Sequence, residues 1–328
     1  MIRTGHEVSI AFALNIAAGA ATILGGMVVF SKQLVYLANP VSLAVALSVS
    51  SGVMMFISFV EIFNESVHLL KEGIQTDTMT EETATGHSWL IATGSFAAGV
   101  ALIYTIDVIV HKISPDHEMT ELENFEDVRD SIRNMESSKA AAGKVSTPCV
   151  ETGLSTAADP TSQFVKMDVN SQRALQRMGV LSALAIGIHN LPEGIATYVG
   201  AMQKPSVGCS LAIGIGLHNI PEGIAVAAPI YFATRSRWRG LMWCAISAAA
   251  EPVGGIIAWL AIGNGMDPIS EGILFGLVSG VMVCICVKEL IPTAYKFAKD
   301  KTYIVAIGTF AGMFVMMASL TLFGYAGA

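Results

Sequence analysis

The sequence has little charge and lacks the patterning of a soluble domain. Only 14% of its 328 residues are charged and 8% are aromatic. The apolar residues form long blocks instead of the stripes that mark amphipathic helices or half-buried strands. A composition that is 53% hydrophobic, with a mean hydropathy of +0.58, is typical of membrane proteins. We therefore expect an all-α polytopic membrane protein.

Cysteine chemistry is also largely missing. The chain has five cysteines and no Cys-x-x-Cys pair, and Cys284 and Cys286 project from nearly opposite sides of a helix. We therefore expect no disulfide framework and interpret the cysteines as small buried hydrophobic residues. The sequence also lacks the His-Glu-x-x-His motif of zinc-dependent hydrolases.

Long apolar runs are abundant, and eight of them meet the requirement of roughly 20 residues for crossing a bilayer. They cover residues 8–30, 41–63, 88–110, 174–200, 206–232, 238–262, 270–292 and 302–324. With both termini outside, the inner segments hold fifteen Lys and Arg residues and the outer segments three. The apolar runs predict eight transmembrane helices, and because cytoplasmic loops are enriched in basic residues, the asymmetry predicts that both termini lie outside.

The span pattern divides the chain into three parts. Residues 1–110 would carry transmembrane helices 1–3, and residues 174–328 would carry helices 4–8 with the functional site. Residues 111–173 would form a cytoplasmic acidic loop, with seven carboxylates between Asp116 and Asp130. Because this segment has too few large apolar residues to build a core, we expect it to be largely disordered.

Two nearly identical motifs interrupt the apolar blocks. His189-Asn-Leu-Pro-Glu-Gly-Ile-Ala196 and His218-Asn-Ile-Pro-Glu-Gly-Ile-Ala225 lie 29 residues apart. A charged side chain at the centre of a membrane helix costs about 2.5–3.5 kcal/mol, so ionisable residues there indicate a functional site. In a helix the His and Glu of each motif stack at i and i+4, and the Asn lies on an adjoining stripe.

Together the motifs offer enough ligands for one or two divalent ions. A third carboxylate, Glu251, stands before Pro252 in the middle of the sixth apolar block. Mixed nitrogen and oxygen donors suit zinc, iron, manganese or cobalt. The candidate metal ligands are His189, Asn190, Glu193, His218, Asn219, Glu222 and Glu251.

Prolines accompany both motifs. Pro192 and Pro221 have no amide proton for the carbonyls four residues earlier, so we expect each helix to kink at its polar cluster. Discontinuous helices at corresponding positions of related segments indicate a transporter binding site.

The paired His-Asn-x-Pro-Glu-Gly motifs resemble those in the fourth and fifth spans of the ZIP (Zrt- and Irt-like protein) family of divalent-metal transporters. The likeness is strongest from residue 184 to residue 292. It implies a 3+2+3 arrangement of spans with an inverted repeat, a homodimer, and metal movement into the cytosol. It also implies a binuclear site between helices 4, 5 and 6, in which Glu193 and Glu222 bridge two metal positions.

The resemblance further implies ligands along the pathway. Met54 and Glu61 lie on one face of the second span, and Glu289 lies on the seventh. Relatives have an acidic residue beside Glu289, whereas this chain has Lys288, which would repel a cation. The resemblance therefore does not extend to an accessory site on the inner side.

Other functions compete with this interpretation. An intramembrane metal-dependent hydrolase is the alternative from a different class, and a channel is a third option; several anionic ligands favour slow alternating access over fast permeation. The expected cargo is Zn²⁺ first, then Fe²⁺, Mn²⁺, Co²⁺ and Cd²⁺, with no bound cofactor. We expect a plasma-membrane protein, with an organelle membrane as the alternative, and no nucleic-acid partner.

Overall fold

The computed structural model describes residues 5–31, 40–76, 78–113, 169–262 and 267–326. Nearly all of these residues are helical, and no strand occurs among them. Most of the predicted cytoplasmic loop, residues 114–168, lies outside the described residues, so its expected disorder stays a prediction.

The described residues form eight rods, α1 to α8, several of them built from consecutive segments. Their bounds are Gly5–Gly26 with a 3₁₀ turn at Met27–Phe30 (α1), Pro40–Phe56, Ile57–Ile62 and Phe63–Ile74 (α2), Glu81–Ile113 (α3), Val169–Gln203 (α4), Pro205–Thr234 (α5), Arg237–Ala248 and Ala250–Ile262 (α6), Pro268–Ile285, Cys286–Leu290 and Ile291–Ala298 (α7), and Thr302–Ala326 (α8).

Seven of these rods are long and apolar enough to cross a bilayer. Many large apolar side chains point outward from them, including Leu90, Leu260 and Phe310. A soluble protein would not leave such side chains in water on every side, so the chain is an integral multi-pass membrane protein. The predicted fourth span, α4, is 35 residues long but is not among the seven, and it carries the polar His189 motif. The count of eight therefore stays a prediction.

Local sequence signals explain where several helices begin. Pro205 and Pro268 occupy the first turns of α5 and α7, where a missing amide proton costs nothing. Asp267 caps α7 by accepting a hydrogen bond from the backbone nitrogen of Ser270 at 2.8 Å. This hydrogen bond also lowers the pKa of Asp267 below its usual value.

The prolines at the polar motifs do not break their helices. Pro192 and Pro221 lie inside the continuous helices Val169–Gln203 and Pro205–Thr234, so neither helix is interrupted there, and the expected kinks stay a prediction. Interruptions occur instead in α2 and α7, which each contain a π-helical turn, and at Ala249 in α6. Ala249 lies next to Ala248, whose carbonyl has no amide donor at Pro252.

Four pairs of helices cross at reciprocal glycine contacts, where a glycine of each helix abuts a backbone carbonyl of the other. A methyl group at any of these glycines would overlap that carbonyl, so the backbones approach as closely as glycine allows. The contacts are Gly25 with Ile220 and Gly223 with Thr22 (α1 and α5), Gly194 with Glu251 and Gly254 with Leu191 (α4 and α6), Gly52 with Thr309 and Gly312 with Val49 (α2 and α8), and Gly99 with Leu277 and Gly280 with Phe96 (α3 and α7).

These crossings relate two halves of the bundle. Exchanging α1 with α6, α2 with α7, α3 with α8 and α4 with α5 converts each crossing into another. Thr22 then corresponds to Glu251, and Gly25 corresponds to Gly254, each pair being 229 residues apart. Because α4 and α5 pack against each other and are joined by Lys204 alone, they run antiparallel, and the relation between the halves is an inverted one.

The glycine crossings predict different costs for two substitutions on one helix. Gly99→Ala should destabilise the protein by about 1–3 kcal/mol, because its methyl group would overlap the carbonyl of Leu277. Gly94→Ala, which has no atom within 4 Å of the added carbon, should be neutral or stabilising by up to about 1 kcal/mol. Thermal unfolding of the purified protein in detergent would measure both. Equal unfolding temperatures for the two variants would contradict the crossing.

Candidate metal centre

The seven predicted ligands are all buried in the middle of the bundle. Asn190, Glu193, His218, Asn219 and Glu251 have no exposed surface, and the remaining two, His189 and Glu222, are at most 5% exposed. They project from α4, α5 and α6, as the sequence predicts, and α1 closes the fourth side of the cluster. The structure therefore gathers in one apolar interior the groups that the two motifs place on separate helices.

His218 and Glu193 form the closest contact between the two motifs. His218 Nδ1 lies 3.0 Å from the carbonyl oxygen of Gly214, and because a carbonyl can only accept, this nitrogen carries a proton. In the neutral imidazole, Nε2 then keeps its lone pair and faces Glu193 Oε1 at 3.1 Å. Two lone pairs repel at this distance unless a proton or a metal ion lies between them. The pair is thus arranged to hold a cation.

Asn219 links the second motif to both flanking helices. Its Nδ2 donates to Glu251 Oε2 on α6 and to the carbonyl oxygen of Ala18 on α1, both at 3.0 Å. These two bonds turn the carboxamide oxygen away from its helix neighbours, and this oxygen has no hydrogen-bond partner. Asn219 and Glu251 therefore meet, as expected for ligands of one metal position.

The first motif has related but not identical contacts. Asn190 Nδ2 donates to the carbonyl of Ser247 at 3.4 Å, and Ser247 is the α6 counterpart of Ala18. His189, in contrast, points toward α7, where its Nε2 lies 3.1 Å from Glu289 Oε2. The sequence grouped His189 with His218, whereas the contacts pair each imidazole with a different carboxylate.

Several oxygen atoms of the cluster have no hydrogen-bond partner although they are buried. They are Asn190 Oδ1, Glu193 Oε2, Asn219 Oδ1, both carboxylate oxygens of Glu222, and Glu251 Oε1. Buried polar atoms without partners are rare in proteins because their desolvation is not compensated. These oxygens are the hard donors that divalent ions accept.

The buried carboxylates of the cluster also lack compensating positive charge in the described part of the chain. In the described ranges no Lys or Arg lies within ion-pair distance of Glu193, Glu222 or Glu251. Uncompensated buried carboxylates are costly, and a divalent cation would neutralise two of them at once. The side chains meet in pairs, and within the same ranges no three His, Cys, Asp or Glu side chains converge as a complete metal site.

The predicted pathway residues lie on α2 and α7, with Glu61 and Glu289 in the π-helical turns and Met54 in the α-helical segment before the first of them. Glu61 is half-buried and accepts a hydrogen bond from Ser210 of α5 at 2.9 Å, whereas Met54 is fully buried in the core. Glu289 is the repeat counterpart of Glu61 and contacts His189. π-Helical turns are frequent at functional sites because they shift side chains relative to the rest of the helix.

Lys288 does not share the surroundings of Glu289. Its ammonium group lies 5.5 Å from the ring centroid of Tyr104 on α3, a cation–π geometry. The carboxylate of Glu289 lies against His189 on α4. Adjacent residues thus direct opposite charges toward different helices, so Lys288 leaves the contact between Glu289 and His189 intact.

Sequence reasoning missed the contribution of α1. Asn15, a buried amide in an otherwise apolar block, donates to the carbonyl of Gly194 at 2.7 Å. Cys244 is also more than a small hydrophobic residue, since its thiol donates to the carbonyl of Gly223 at 3.2 Å. A polar amide inside the first apolar block was the available signal for Asn15; nothing in the sequence distinguished Cys244.

Comparison with known proteins shows the family of the chain. The profile of the family described as ZIP Zinc transporter matches residues 8–320. A zinc transporter ZupT of Chlorobium chlorochromatii is 34% identical over 95% of this chain and 97% of its own length. Proteins of the same description from Nitratidesulfovibrio vulgaris (34%, covering 98% of this chain and 100% of the relative) and Corynebacterium glutamicum (37%, 95% and 98%) are similar to it as well. The chain belongs to the ZIP zinc transporter family.

Proposed function

We propose that this protein carries divalent metal ions, zinc first, across the membrane into the cytosol through a binuclear site between α4, α5 and α6. The observation that carries the proposal is the cluster of buried carboxylate and amide oxygens without partners and without neighbouring Lys or Arg in the described ranges. Relatives described as zinc transporters support the choice of zinc. Iron, manganese, cobalt and cadmium ions fit the same mixture of nitrogen and oxygen donors.

The two metal positions would share the glutamates. One position uses His189, Glu193, His218 and Glu222; the other uses Asn190, Glu193, Asn219, Glu222 and Glu251. The contact of Glu193 Oε1 with His218 supports the first position, since it leaves Oε2 available for the second. The hydrogen bond between Asn219 and Glu251 supports the second.

The pathway would approach this site from opposite sides along α2 and α7. Glu61, held by Ser210, and Met54 would line the outer approach. Glu289, against His189, would line the inner one. The inverted relation between the halves supports this arrangement, because corresponding glutamates of inverted halves would lie toward opposite membrane faces.

The bundle would have eight spans in a 3+2+3 arrangement, with both termini outside. The reciprocal crossings support it, since each of α1 to α3 has a counterpart among α6 to α8 while α4 and α5 exchange with each other. We further propose a homodimer in the plasma membrane. Membership of a transporter family does not favour the alternative of an intramembrane hydrolase.

Zinc flux into proteoliposomes tests the function. The purified protein should carry Zn²⁺ to a dye trapped inside, and Glu193→Ala and Glu222→Ala should each abolish this flux, because each carboxylate serves both positions. Glu81→Ala, at a carboxylate on the bundle surface that pairs with Lys71, is the matched control and should leave flux unchanged. Normal flux through correctly folded Glu193→Ala protein would exclude the binuclear site.

Substitution of the carboxamides should have a smaller effect than substitution of the glutamates. A neutral amide is a weaker ligand than a carboxylate, so Asn190→Ala and Asn219→Ala should lower zinc flux without abolishing it. Asn219→Ala should be the more severe of the two, because it also removes the hydrogen bonds that the side chain donates to Glu251 and to the carbonyl of Ala18. Initial rates over a range of zinc concentrations in the same vesicles would rank the variants; a complete loss in Asn190→Ala would contradict the ranking.

Epitope accessibility in intact cells tests the topology. Tags fused to either end should be labelled by antibody without permeabilisation, and a tag inserted near residue 140 should be labelled only after it. The basic residues of the inner segments give the physical reason. Labelling of one terminus alone would mean an odd number of spans.

A further inference from the structure

Two buried side chains hold the backbone directly after the two bridging glutamates. Asn15 Nδ2 on α1 donates to the carbonyl of Gly194 at 2.7 Å, and Gly194 follows Glu193. Cys244 Sγ on α6 donates to the carbonyl of Gly223 at 3.2 Å, and Gly223 follows Glu222. Both donors have no exposed surface.

The two donors occupy equivalent places in the inverted repeat. Asn15 and Cys244 are 229 residues apart, the offset that also relates Thr22 to Glu251. Each donor packs against a glycine of the opposite half: a β-carbon on Gly255 would lie 2.9 Å from Asn15 Nδ2, and one on Gly26 would lie 2.6 Å from Cys244 Sγ. An amide and a thiol, although chemically unrelated, therefore make the same contact.

The helix backbone next to these points lacks one of its usual restraints. Pro192 and Pro221 cannot donate to the carbonyls of Ile188 and Leu217, so each helix lacks a hydrogen bond one turn before its glutamate. The glycine after each glutamate is the residue type with the greatest backbone freedom. Hydrogen bonds to the side chains do not compensate, because both oxygens of Glu222 and one of Glu193 have no partner.

We propose that Asn15 and Cys244 are a pair of positioning residues that fix the backbone of Gly194 and Gly223, and thereby the directions from which Glu193 and Glu222 approach the metal ions. This inference rests on the proposed binuclear site. Asn15 and Cys244 act through the glycine carbonyls and contact no reacting group. A donor at either position should therefore be replaceable by the donor of the other half.

The test compares donor-removing and donor-exchanging variants in zinc proteoliposomes. Asn15→Ala and Cys244→Ala remove the hydrogen bond, and Asn15→Cys and Cys244→Asn replace each donor with that of its counterpart. We expect the alanine variants to raise the apparent KM for Zn²⁺ roughly five- to tenfold, the effect of losing one hydrogen bond. The exchange variants should stay within about twofold of the wild-type KM, since rescue by a different donor shows that the hydrogen bond matters rather than the side chain's shape.

Two further measurements separate positioning from stability and from the function itself. The unfolding temperature and the maximum transport rate should change little in Asn15→Ala and Cys244→Ala. This result would show that both variants are folded and that only their apparent affinity for Zn²⁺ is lower. Unchanged KM in both alanine variants, or failure of both exchange variants to restore it, would overturn the inference. If Glu193→Ala abolishes flux in the same series, either of these results rejects only the positioning role of Asn15 and Cys244. If Glu193→Ala transports normally, the proposed binuclear site is rejected.

Discussion

The burial of three carboxylates and two imidazoles in an apolar bundle is the constraint on which the rest of the structure depends. Glu193, Glu222 and Glu251 have almost no exposed surface, and no Lys or Arg in the described part of the chain neutralises them. A low-dielectric interior penalises such charges unless a cation is present. A bound divalent cation would remove this penalty. The buried carboxylates and imidazoles would in turn replace the water molecules that the ion loses.

The close helix crossings keep these groups together. Gly194 and Gly223 lie one residue after Glu193 and Glu222 and meet the backbones of α6 and α1. The same residues accept the hydrogen bonds of Asn15 and Cys244. In each half, the close helix crossing and the side-chain hydrogen bond thus meet at the residue next to the glutamate. A shift of any of the four helices around the site would therefore move a carboxylate.

The two inverted halves are similar in their backbone packing but differ in the side chains around the site. Glu251 of α6 has Thr22 as its counterpart in α1, and Glu289 contacts a histidine whereas Glu61 contacts Ser210. The two halves therefore offer a similar backbone frame with different side-chain contacts at corresponding positions.

The sequence by itself determined the class of protein and the residues that are the candidate metal ligands. Long apolar blocks require helices in lipid, and two copies of His-Asn-x-Pro-Glu-Gly at membrane depth require a function that offsets their cost. All seven ligands predicted from these motifs and from Glu251 lie in one buried cluster. Tertiary structure alone decided that His189 faces Glu289, that α4 and α5 continue through their prolines, and that α1 and α6 hold the glycines after the glutamates. These features depend on contacts between residues far apart in the chain, and helical periodicity describes only which residues share a face, not which face of another helix they will meet.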